Sequence, residues 1–311
     1  MSPLRDALVD YLTTRRSLGF ELRLPGKNLE NFVCFVERHK ATVITTELSL
    51  RWAKLPNGVE PATWAERLDL VRRFARYCSA LDPRTEIPPE GLLPDRRRRK
   101  PPYIYTDKEI GQLLLASKAL PSRHKLRPLT YETLVGLLAI SGMRIGEALA
   151  LDDTDVDLQN GILTIRDAKY GKTRYIPVHK STRRALLFYA NKRNHFVPRQ
   201  QRPAYFVGEE GRRLSYSGVR WTFLRLLSDT KLDTKAGQRL PRIHDLRHTF
   251  AVRTLIRWYQ TGIDVEANLP RLATYLGHTH VTDTYWYLSA VPQLLRLVVR
   301  RVEQVHKRQK K

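Results

Sequence analysis

The sequence feature that most constrains the architecture of this chain is a stretch rich in proline and arginine, which divides the chain into two parts. Residues 82–104 hold six prolines and the five consecutive basic residues Arg96 to Lys100. Proline lacks a backbone N–H and its ring blocks the helical conformation, so such a stretch stays extended and stiff. The 311 residues are also enough for two domains. We therefore predict a helical domain over residues 1–87, a basic proline-rich linker over 88–104, and a second domain over 105–311.

Apolar residues recur at helical spacing on both sides of this linker. Before it, the pattern predicts helices around residues 4–12, 29–36 and 64–81. After it, Thr106 and Glu109 form the pattern of a helix capping box, and further helices are predicted near 131–140, 144–151, 181–194, 217–228, 244–259 and 268–276. Residues 161–166 and 174–178 alternate in the strand period and predict a β-hairpin. The predicted fold class is mainly α with a small antiparallel β-sheet.

The charge of the chain points to a polyanionic partner. It carries 55 Lys and Arg against 31 Asp and Glu, a formal net charge of +24. Positive side chains release counterions when they meet phosphates, so nucleic acid is the predicted partner. The expected DNA contacts are Arg72 and Arg73, on the basic face of the third predicted helix, and the linker run Arg96, Arg97, Arg98, Arg99 and Lys100.

The same composition excludes several other classes of protein. Apolar residues make up 42% of the chain, too many for a disordered basic tail. Cys34 and Cys78 lie on apolar stripes, where we expect them to pack in a core rather than form a disulfide framework. Apolar runs such as 134–140 are far shorter than the roughly 20 residues that span a bilayer, and the N-terminus does not resemble a signal peptide. We expect a protein of the bacterial cytoplasm, associated with the nucleoid when bound to DNA.

Four short fragments carry the groups that phosphate chemistry needs. An arginine can pair with two phosphate oxygens, and fixed cations stabilise the charge that grows on a phosphoryl group under attack. A lysine on a turn can protonate a leaving alkoxide, and a tyrosine hydroxyl can attack phosphorus and stay attached to it. The sequence has no GxxxxGK[ST] loop, HExxH pair or carboxylate cluster, so it favours phosphoryl transfer without a metal ion or nucleotide. The fragments are Ser141–Glu147, Ala168–Arg174, His244–Phe250, and Leu276–His278 with Thr284–Tyr287.

In this order and spacing, the four fragments resemble the catalytic domain of the tyrosine recombinases, the phage-integrase family. The resemblance covers about residues 105–290, and residues 1–90 are similar in size and helical pattern to the core-binding domain of that family. Glu147 resembles the acidic residue that buttresses the site. The catalytic residues that the resemblance implies are Arg144, Lys169, His244, Arg247, His278 and Tyr287.

Two of these assignments have an alternative within the same fragment. Lys169 is the preferred match to the hairpin lysine implied as general acid, but Lys172 lies on the same turn and is otherwise a candidate DNA contact. Tyr287 follows His278 by nine residues, as the family's nucleophile does, whereas Tyr285 follows it by seven.

Two further interpretations concern the region around these residues. His248, next to the family's second arginine, is interpreted as structural. The segment between Arg247 and His278 is longer than in compact members of the family, and we interpret the excess as a loop insertion that leaves the site intact.

The resemblance implies a site-specific recombinase of the mobile-element type, which needs no cofactor. It would integrate, excise or invert DNA through a 3′-phosphotyrosyl intermediate and a Holliday junction. Four protomers would assemble on two DNA sites, alone or with sister recombinases, and a C-terminal helix at 290–305 is a candidate for docking onto a neighbour. Two alternatives stay open: a type IB topoisomerase-like enzyme, and a DNA-binding protein of the same fold without turnover.

Overall fold

The predicted fold class is confirmed by the arrangement of helices and strands. A computed structural model describes residues 2–94, 101–168, 172–197, 203–232, 240–291, 294–297 and 299. These residues are mostly helical, with a single three-stranded antiparallel sheet among them. The chain divides into two compact units, residues 1–100 and 101–311. The boundaries proposed for the linker stay a prediction, and its run Arg96–Lys100 lies outside the described residues.

The first unit packs four described helices around one apolar core. Three of them carry the predicted apolar stripes, whereas the short α3 was not predicted. Trp52 of α3 is fully buried in this core, and its indole N–H donates a hydrogen bond to Asn31 Oδ1 at 2.9 Å. Cys78 is buried in the same core and Cys34 is partly buried. The helices are α1 (Pro3–Ser17), α2 (Arg23–Arg38), α3 (Thr46–Lys54) and α4 (Pro61–Ser79).

The second unit holds the remaining described helices and the sheet. Its helices are α5 (Asp107–Lys118), α6 (Leu126–Ser141), α7 (Ile145–Ala150), α8 (Lys180–Phe196), α9 (Tyr216–Asp229), α10 (Asp245–Gln260), α11 (Val265–Leu276) and α12 (Thr282–Ala290). A 3-10 helix covers Asp153–Asp155. The strands β1 (Val156–Asp157), β2 (Ile162–Ala168) and β3 (Lys172–Pro177) pair in that order.

Local sequence signals account for several of these elements. The Thr106 capping box is confirmed, since Thr106 Oγ1 accepts from the Glu109 N–H at 3.2 Å and the Glu109 carboxylate accepts from the Thr106 N–H at 2.7 Å. The predicted hairpin is confirmed as β2 and β3, which pair antiparallel. The segment before His278, which we interpreted as holding a loop insertion, is mostly helical: α10 and α11 leave residues 261–264 between them. Whether it is an insertion relative to compact members of the family stays a prediction.

Two glycines end helices next to the candidate catalytic residues. Gly142 ends α6 with φ +61° and Gly277 ends α11 with φ +67°, both in the left-handed region that glycine reaches without steric cost. A Cβ at Gly142 would lie 2.4 Å from the ring of Phe250. The chain therefore turns sharply at both points, and each turn leads directly into a fragment that carries a candidate catalytic residue.

No helix among the described residues is long and apolar enough to cross a membrane.

Candidate active site

Three arginines of the site bind successive backbone carbonyls at the C-terminal end of α11. Arg174 Nε donates to the carbonyl of Tyr275 at 3.1 Å, and Arg247 Nη2 donates to that of Leu276 at 2.6 Å. Arg144 Nη2 donates to the carbonyl of Gly277 at 2.8 Å. The last carbonyls of a helix lack partners inside the helix and carry partial negative charge. This one helix end therefore orients three guanidinium groups that come from distant parts of the sequence.

Glu147 is the carboxylate that joins two of these arginines. Its oxygens accept from Arg144 Nη1 at 2.8 Å and from Arg174 Nη1 and Nη2 at 3.0 and 2.6 Å. A fourth bond comes from the Arg144 backbone N–H at 2.7 Å. Burial alone would raise the pKa of Glu147, but the hydrogen bonds from Arg174 and Arg144 outweigh it and hold the pKa below its usual range. Glu147 is thus ionised, and it fixes the position of Arg144.

Arg247 is a buried cation without a carboxylate among its described hydrogen-bond partners. It is 2% exposed, and besides Leu276 its guanidinium binds the carbonyl of Gly142 at 2.9 Å. Burial, reinforced by the nearby charge of Arg144, lowers its pKa to about 10, so it stays protonated at neutral pH. A desolvated positive charge whose described hydrogen bonds go to neutral carbonyls binds an approaching anion strongly.

The two candidate histidines are neutral at pH 7. Burial lowers the pKa of His244 to about 4, with contributions from the charges of Arg247, Arg242 and Arg144. Burial and the charges of Arg247 and Arg144 likewise lower the pKa of His278 to about 4. A neutral imidazole carries no charge and has one N–H donor and one acceptor nitrogen.

A buried threonine orients the second of these histidines. The hydroxyl of Thr284 lies 2.7 Å from Nδ1 of His278, and Thr284 is fully buried. When Thr284 donates this bond, Nε2 of His278 carries the ring proton and is the atom able to donate to a phosphate oxygen.

The two candidate nucleophiles differ sharply in their surroundings. Tyr287 on α12 is 2% exposed, and its hydroxyl oxygen lies 2.8 Å from Nδ1 of His248. Its ring lies 6.5 Å from the ring of His278, centroid to centroid. Tyr285, on the same helix, is 47% exposed. Tyr287 is therefore the tyrosine that lies among the histidines of the site.

The structure brings together five of the six residues predicted as catalytic. Arg144, Arg247, His244, His278 and Tyr287 lie close to one another, through the contacts described above and the mutual effects of their charges. Lys169 lies outside the described residues, as does the side chain of Lys172, so the choice between them stays a prediction. In the sequence, Lys169 directly follows β2, and Lys172 is the first residue of β3.

Sequence reasoning missed three residues that contact the predicted set. Arg174 was seen only as a landmark after Lys169, Thr284 as part of a fragment, and His248 as structural. For His248 the available signal was its place directly after Arg247, and for Arg174 its place two residues after Lys172. For Thr284 the signal was its spacing of three residues from Tyr287, which puts both on one face of a helix.

The two arginines of α4 predicted to contact DNA have different roles in the first unit. Arg73 is about half exposed and pairs with Asp69 at 2.9 Å. Arg72 is 11% exposed, and its Nε and Nη2 donate to the carbonyls of Pro88 and Pro89 at 2.8 and 2.9 Å. Arg72 therefore holds the segment that follows α4 against the first unit, whereas Arg73 presents its charge to solvent.

The four charged groups of the site leave an excess of positive charge. Arg144, Arg174 and Arg247 carry three positive charges against the single negative charge of Glu147. The described residues hold no group of three or more His, Cys, Asp or Glu side chains placed to bind a metal ion. An excess of fixed positive charge beside a tyrosine hydroxyl suits the binding of a phosphate monoanion and attack on it.

Comparison with known proteins defines the class. The model of the phage integrase family matches residues 104–293. The protein y4rB of Sinorhizobium fredii, assigned as an integrase/recombinase, is 45% identical over 97% of this chain and 98% of its own length. The chain therefore belongs to the phage integrase family, and the predicted function of a site-specific tyrosine recombinase, which breaks and rejoins DNA strands, is confirmed.

Two solved structures share the fold at low sequence identity. The integrase of transposon Tn1549, in complex with transposon right end DNA, is 17% identical and has a TM-score of 0.68, covering 97% of this chain and 100% of that one. A lambda integrase tetramer bound to a Holliday junction is 18% identical and has a TM-score of 0.59, covering 90% and 78%. At such identities the likeness concerns the fold alone.

Proposed function

We propose that this recombinase cleaves duplex DNA with Tyr287 as nucleophile and with Arg144, Arg247, His244 and His278 as the groups that hold the scissile phosphate. The observation that carries the proposal is the row of carbonyls at residues 275–277, which orients the arginines beside Tyr287. Lys169, which directly follows β2 in the sequence, is proposed to protonate the leaving oxygen.

Charge growth on the phosphate explains why these groups are needed. When Tyr287 attacks phosphorus, the non-bridging oxygens gain negative charge, and oriented N–H donors stabilise it without having to reorganise. Arg144 is 32% exposed at its side chain and Arg247 is almost fully covered, so an entering phosphate meets Arg144 first. Neutral His244 and His278 then add N–H donors, which stabilise the oxygens without a further positive charge.

The bond that forms links Tyr287 Oη to phosphorus, and the bond that breaks links phosphorus to the 5′ oxygen. The energy of the phosphodiester is kept in the 3′-phosphotyrosyl link, so the 5′-hydroxyl of another strand can reverse the step. No nucleotide is consumed, and the cations that act on the phosphate belong to the protein. The hydroxyl of Tyr287 is covered in the structure, and we expect the phosphate to reach it through a local adjustment of α12.

The assembly and the setting follow from the same reaction. Exchange of two strand pairs needs four active sites, and the lambda integrase relative forms a tetramer on a Holliday junction. We therefore propose that four copies act on two DNA sites, alone or with sister recombinases, in the bacterial cytoplasm. The strong similarity to an integrase/recombinase over the whole chain favours a mobile-element enzyme. The proposed docking helix at 290–305 lies mostly outside the described residues.

Covalent trapping tests the proposal. The full chain is incubated in EDTA with nicked suicide duplexes that carry the ends of its DNA element, and adducts are separated on a denaturing gel. We expect an adduct with the wild type and with Tyr285→Phe, and none with Tyr287→Phe. Because Tyr285 is a neighbour on the same helix but is exposed, its substitution is the matched control.

Three other outcomes would each contradict one part of the proposal: the nucleophile, the catalytic turnover or the recombinase activity. An adduct that persists in Tyr287→Phe and vanishes in Tyr285→Phe would make Tyr285 the nucleophile. A wild type that binds the duplexes but forms no adduct would indicate a binding protein without turnover. Relaxation of a supercoiled plasmid that carries no recombination site would instead support the topoisomerase alternative.

A further inference from the structure

A histidine outside the predicted catalytic set contacts the proposed nucleophile. Nδ1 of His248 lies 2.8 Å from the hydroxyl oxygen of Tyr287, within hydrogen-bond distance. A phenol ordinarily has a pKa near 10, so only about one hydroxyl in a thousand is ionised at neutral pH. Attack on phosphorus therefore needs a group that takes the proton as the new bond forms.

Four other groups of the site are less suited to take that proton. The ring of His244 packs next to that of His248 at a centroid distance of 4.9 Å and makes no hydrogen bond to Tyr287 among the described contacts. Arg247 and Arg144 are cations and have no acceptor atom. Nδ1 of His278 is occupied by the hydroxyl of Thr284 at 2.7 Å, so its free nitrogen is the donor proposed for a phosphate oxygen. His248 is the residue whose ring nitrogen is already placed against the reacting oxygen.

We propose that His248 is the general base of strand cleavage, receiving the proton of Tyr287 on Nδ1. This inference rests on the proposed function, because it assigns one step of the same reaction. The Oη–H bond of Tyr287 breaks, its proton passes to Nδ1 and forms an imidazolium, and the oxygen electron pair forms the bond to phosphorus. The bond from phosphorus to the 5′ oxygen breaks, and that oxygen takes a separate proton from the general acid. Religation returns the proton from His248 to Tyr287.

Packing holds the His248 ring in the orientation that this transfer needs. The ring lies edge to face on Trp286 and on Tyr287 at centroid distances of 5.9 and 5.5 Å, and next to His244 at 4.9 Å. His248 sits on α10 one residue after Arg247, while Tyr287 and Trp286 belong to α12. The positive charge of Arg247 opposes formation of the imidazolium, and the negative charge of the bound phosphate offsets that opposition.

The test compares a histidine with an amide that keeps the contact but not the basicity. In His248→Asn, the side-chain oxygen lies close to where Nδ1 was, so it accepts the Tyr287 hydrogen bond but cannot hold the proton. Single-turnover adduct formation on the suicide duplex should fall about 100-fold or more, which is the usual contribution of a general base. His195→Asn, at an exposed histidine of α8, is the control and should react like the wild type.

Two altered reactants distinguish a base from a structural residue. A duplex with a 5′-bridging phosphorothiolate needs no general acid, because the thiolate leaves without a proton. We expect His248→Asn to cleave this duplex slowly as well, since the base is still required. Trifluorotyrosine at position 287 has a more acidic phenol and needs less help from a base. It should raise the rate of His248→Asn at least tenfold more than it raises that of the wild type.

The results that would overturn the proposal are separable from a failure of the proposed function. A His248→Asn protein that reacts as fast as the wild type or faster refutes the base. So does a slow variant that trifluorotyrosine does not restore, since its defect is then structural. Absence of any Tyr287-dependent adduct in the wild type refutes the proposed function and the base together. If His248→Asn does not fold, the same comparisons are made with His248→Gln, whose polar group is also an amide.

Discussion

Replacing Arg174 tests how much the ion pair between Arg174 and Glu147 contributes to the stability of the site. Arg174 and Glu147 are each 11% exposed at the side chain and share two hydrogen bonds. Breaking a buried ion pair by removing one partner costs about 3–5 kcal/mol, because the remaining charge stays buried and unpaired. Arg144 still donates two bonds to Glu147, so we expect Arg174→Gln to lower the free energy of unfolding by about 3 kcal/mol, the lower end of that range.

A double-mutant cycle isolates the pair from the other effects of each substitution. In Glu147→Gln, Arg144 and Arg174 lose the carboxylate that pairs with them. In the double variant, which carries Arg174→Gln as well, no buried carboxylate is left without its partner. We therefore expect the double variant to be more stable than the sum of the single effects predicts, with a coupling energy of about 2 kcal/mol. Arg174→Lys should restore only part of the loss, since an ammonium group cannot form the paired bonds of a guanidinium.

The measurement must report on the second unit alone, because the chain has two compact units. Fluorine NMR of fluorotryptophan-labelled protein in urea meets this need, with Trp258 and Trp286 in the second unit and Trp52 in the first. A loss below about 1 kcal/mol for Arg174→Gln, or strictly additive effects in the cycle, would refute the reasoning. It would mean that solvent reaches Glu147 and pairs with it in place of Arg174.

Three further predictions concern the helix end, acid stability and the first unit. Gly277→Ala should cost about 1–2 kcal/mol through its positive φ and lower adduct formation more than tenfold, because its Cβ would lie 2.8 Å from a site guanidinium; Gly262→Ala, with φ +74° and nothing within 4 Å, should show only the backbone cost. His244 and His278, whose pKa is near 4 in the folded chain, bind protons more readily in the unfolded chain, where the pKa is about 6.5. The free energy of unfolding should therefore fall by up to about 3 kcal/mol for each histidine as the pH drops from about 6.5 to 4. Urea unfolding at several pH values should show a smaller fall when both histidines are replaced by asparagine. Arg73→Ala should weaken DNA binding and reduce its salt dependence by about one phosphate contact, whereas Arg72→Ala should lower the stability of the first unit by about 2 kcal/mol in denaturation experiments.

Local signals in the sequence were sufficient for much of the fold. The capping box at Thr106, the helical spacing in α1, α2 and α4, and the hairpin each depend on residues close together in the chain. The helices α3 and α12 were missed for physical reasons. Helix α3 has nine residues, shorter than the window in which helical periodicity is clear. Helix α12 is rich in threonine and aromatic residues, which have low helix propensity, and is stabilised by its packing on α10 and α11.

The candidate site was predictable as a set of residues but not as a set of contacts. Its fragments are recognisable because each combines a catalytic type of residue with neighbours that shape the backbone, such as Gly142 before Arg144. The bonds from Arg174 and Arg144 to the end of α11 join residues 101 and 133 positions apart. No periodicity or propensity encodes such a contact. The same reason applies to Arg72, whose hydrogen bonds to the carbonyls of Pro88 and Pro89 are not encoded in its place on a basic helical face.

The end of α11 explains how the site stays both ordered and positively charged. Three carboxylates could have oriented the three arginines equally well, but they would have cancelled the charge that attracts a phosphate. Backbone carbonyls carry only partial charge, so they fix the guanidinium groups of Arg144, Arg174 and Arg247 with little loss of positive charge. Among the described residues, Glu147 is the one carboxylate that hydrogen-bonds to these arginines. Gly277 then turns the chain so that His278 follows directly. Leu276 and Gly277 therefore contribute backbone carbonyls to the candidate site, although neither residue has a reactive side chain.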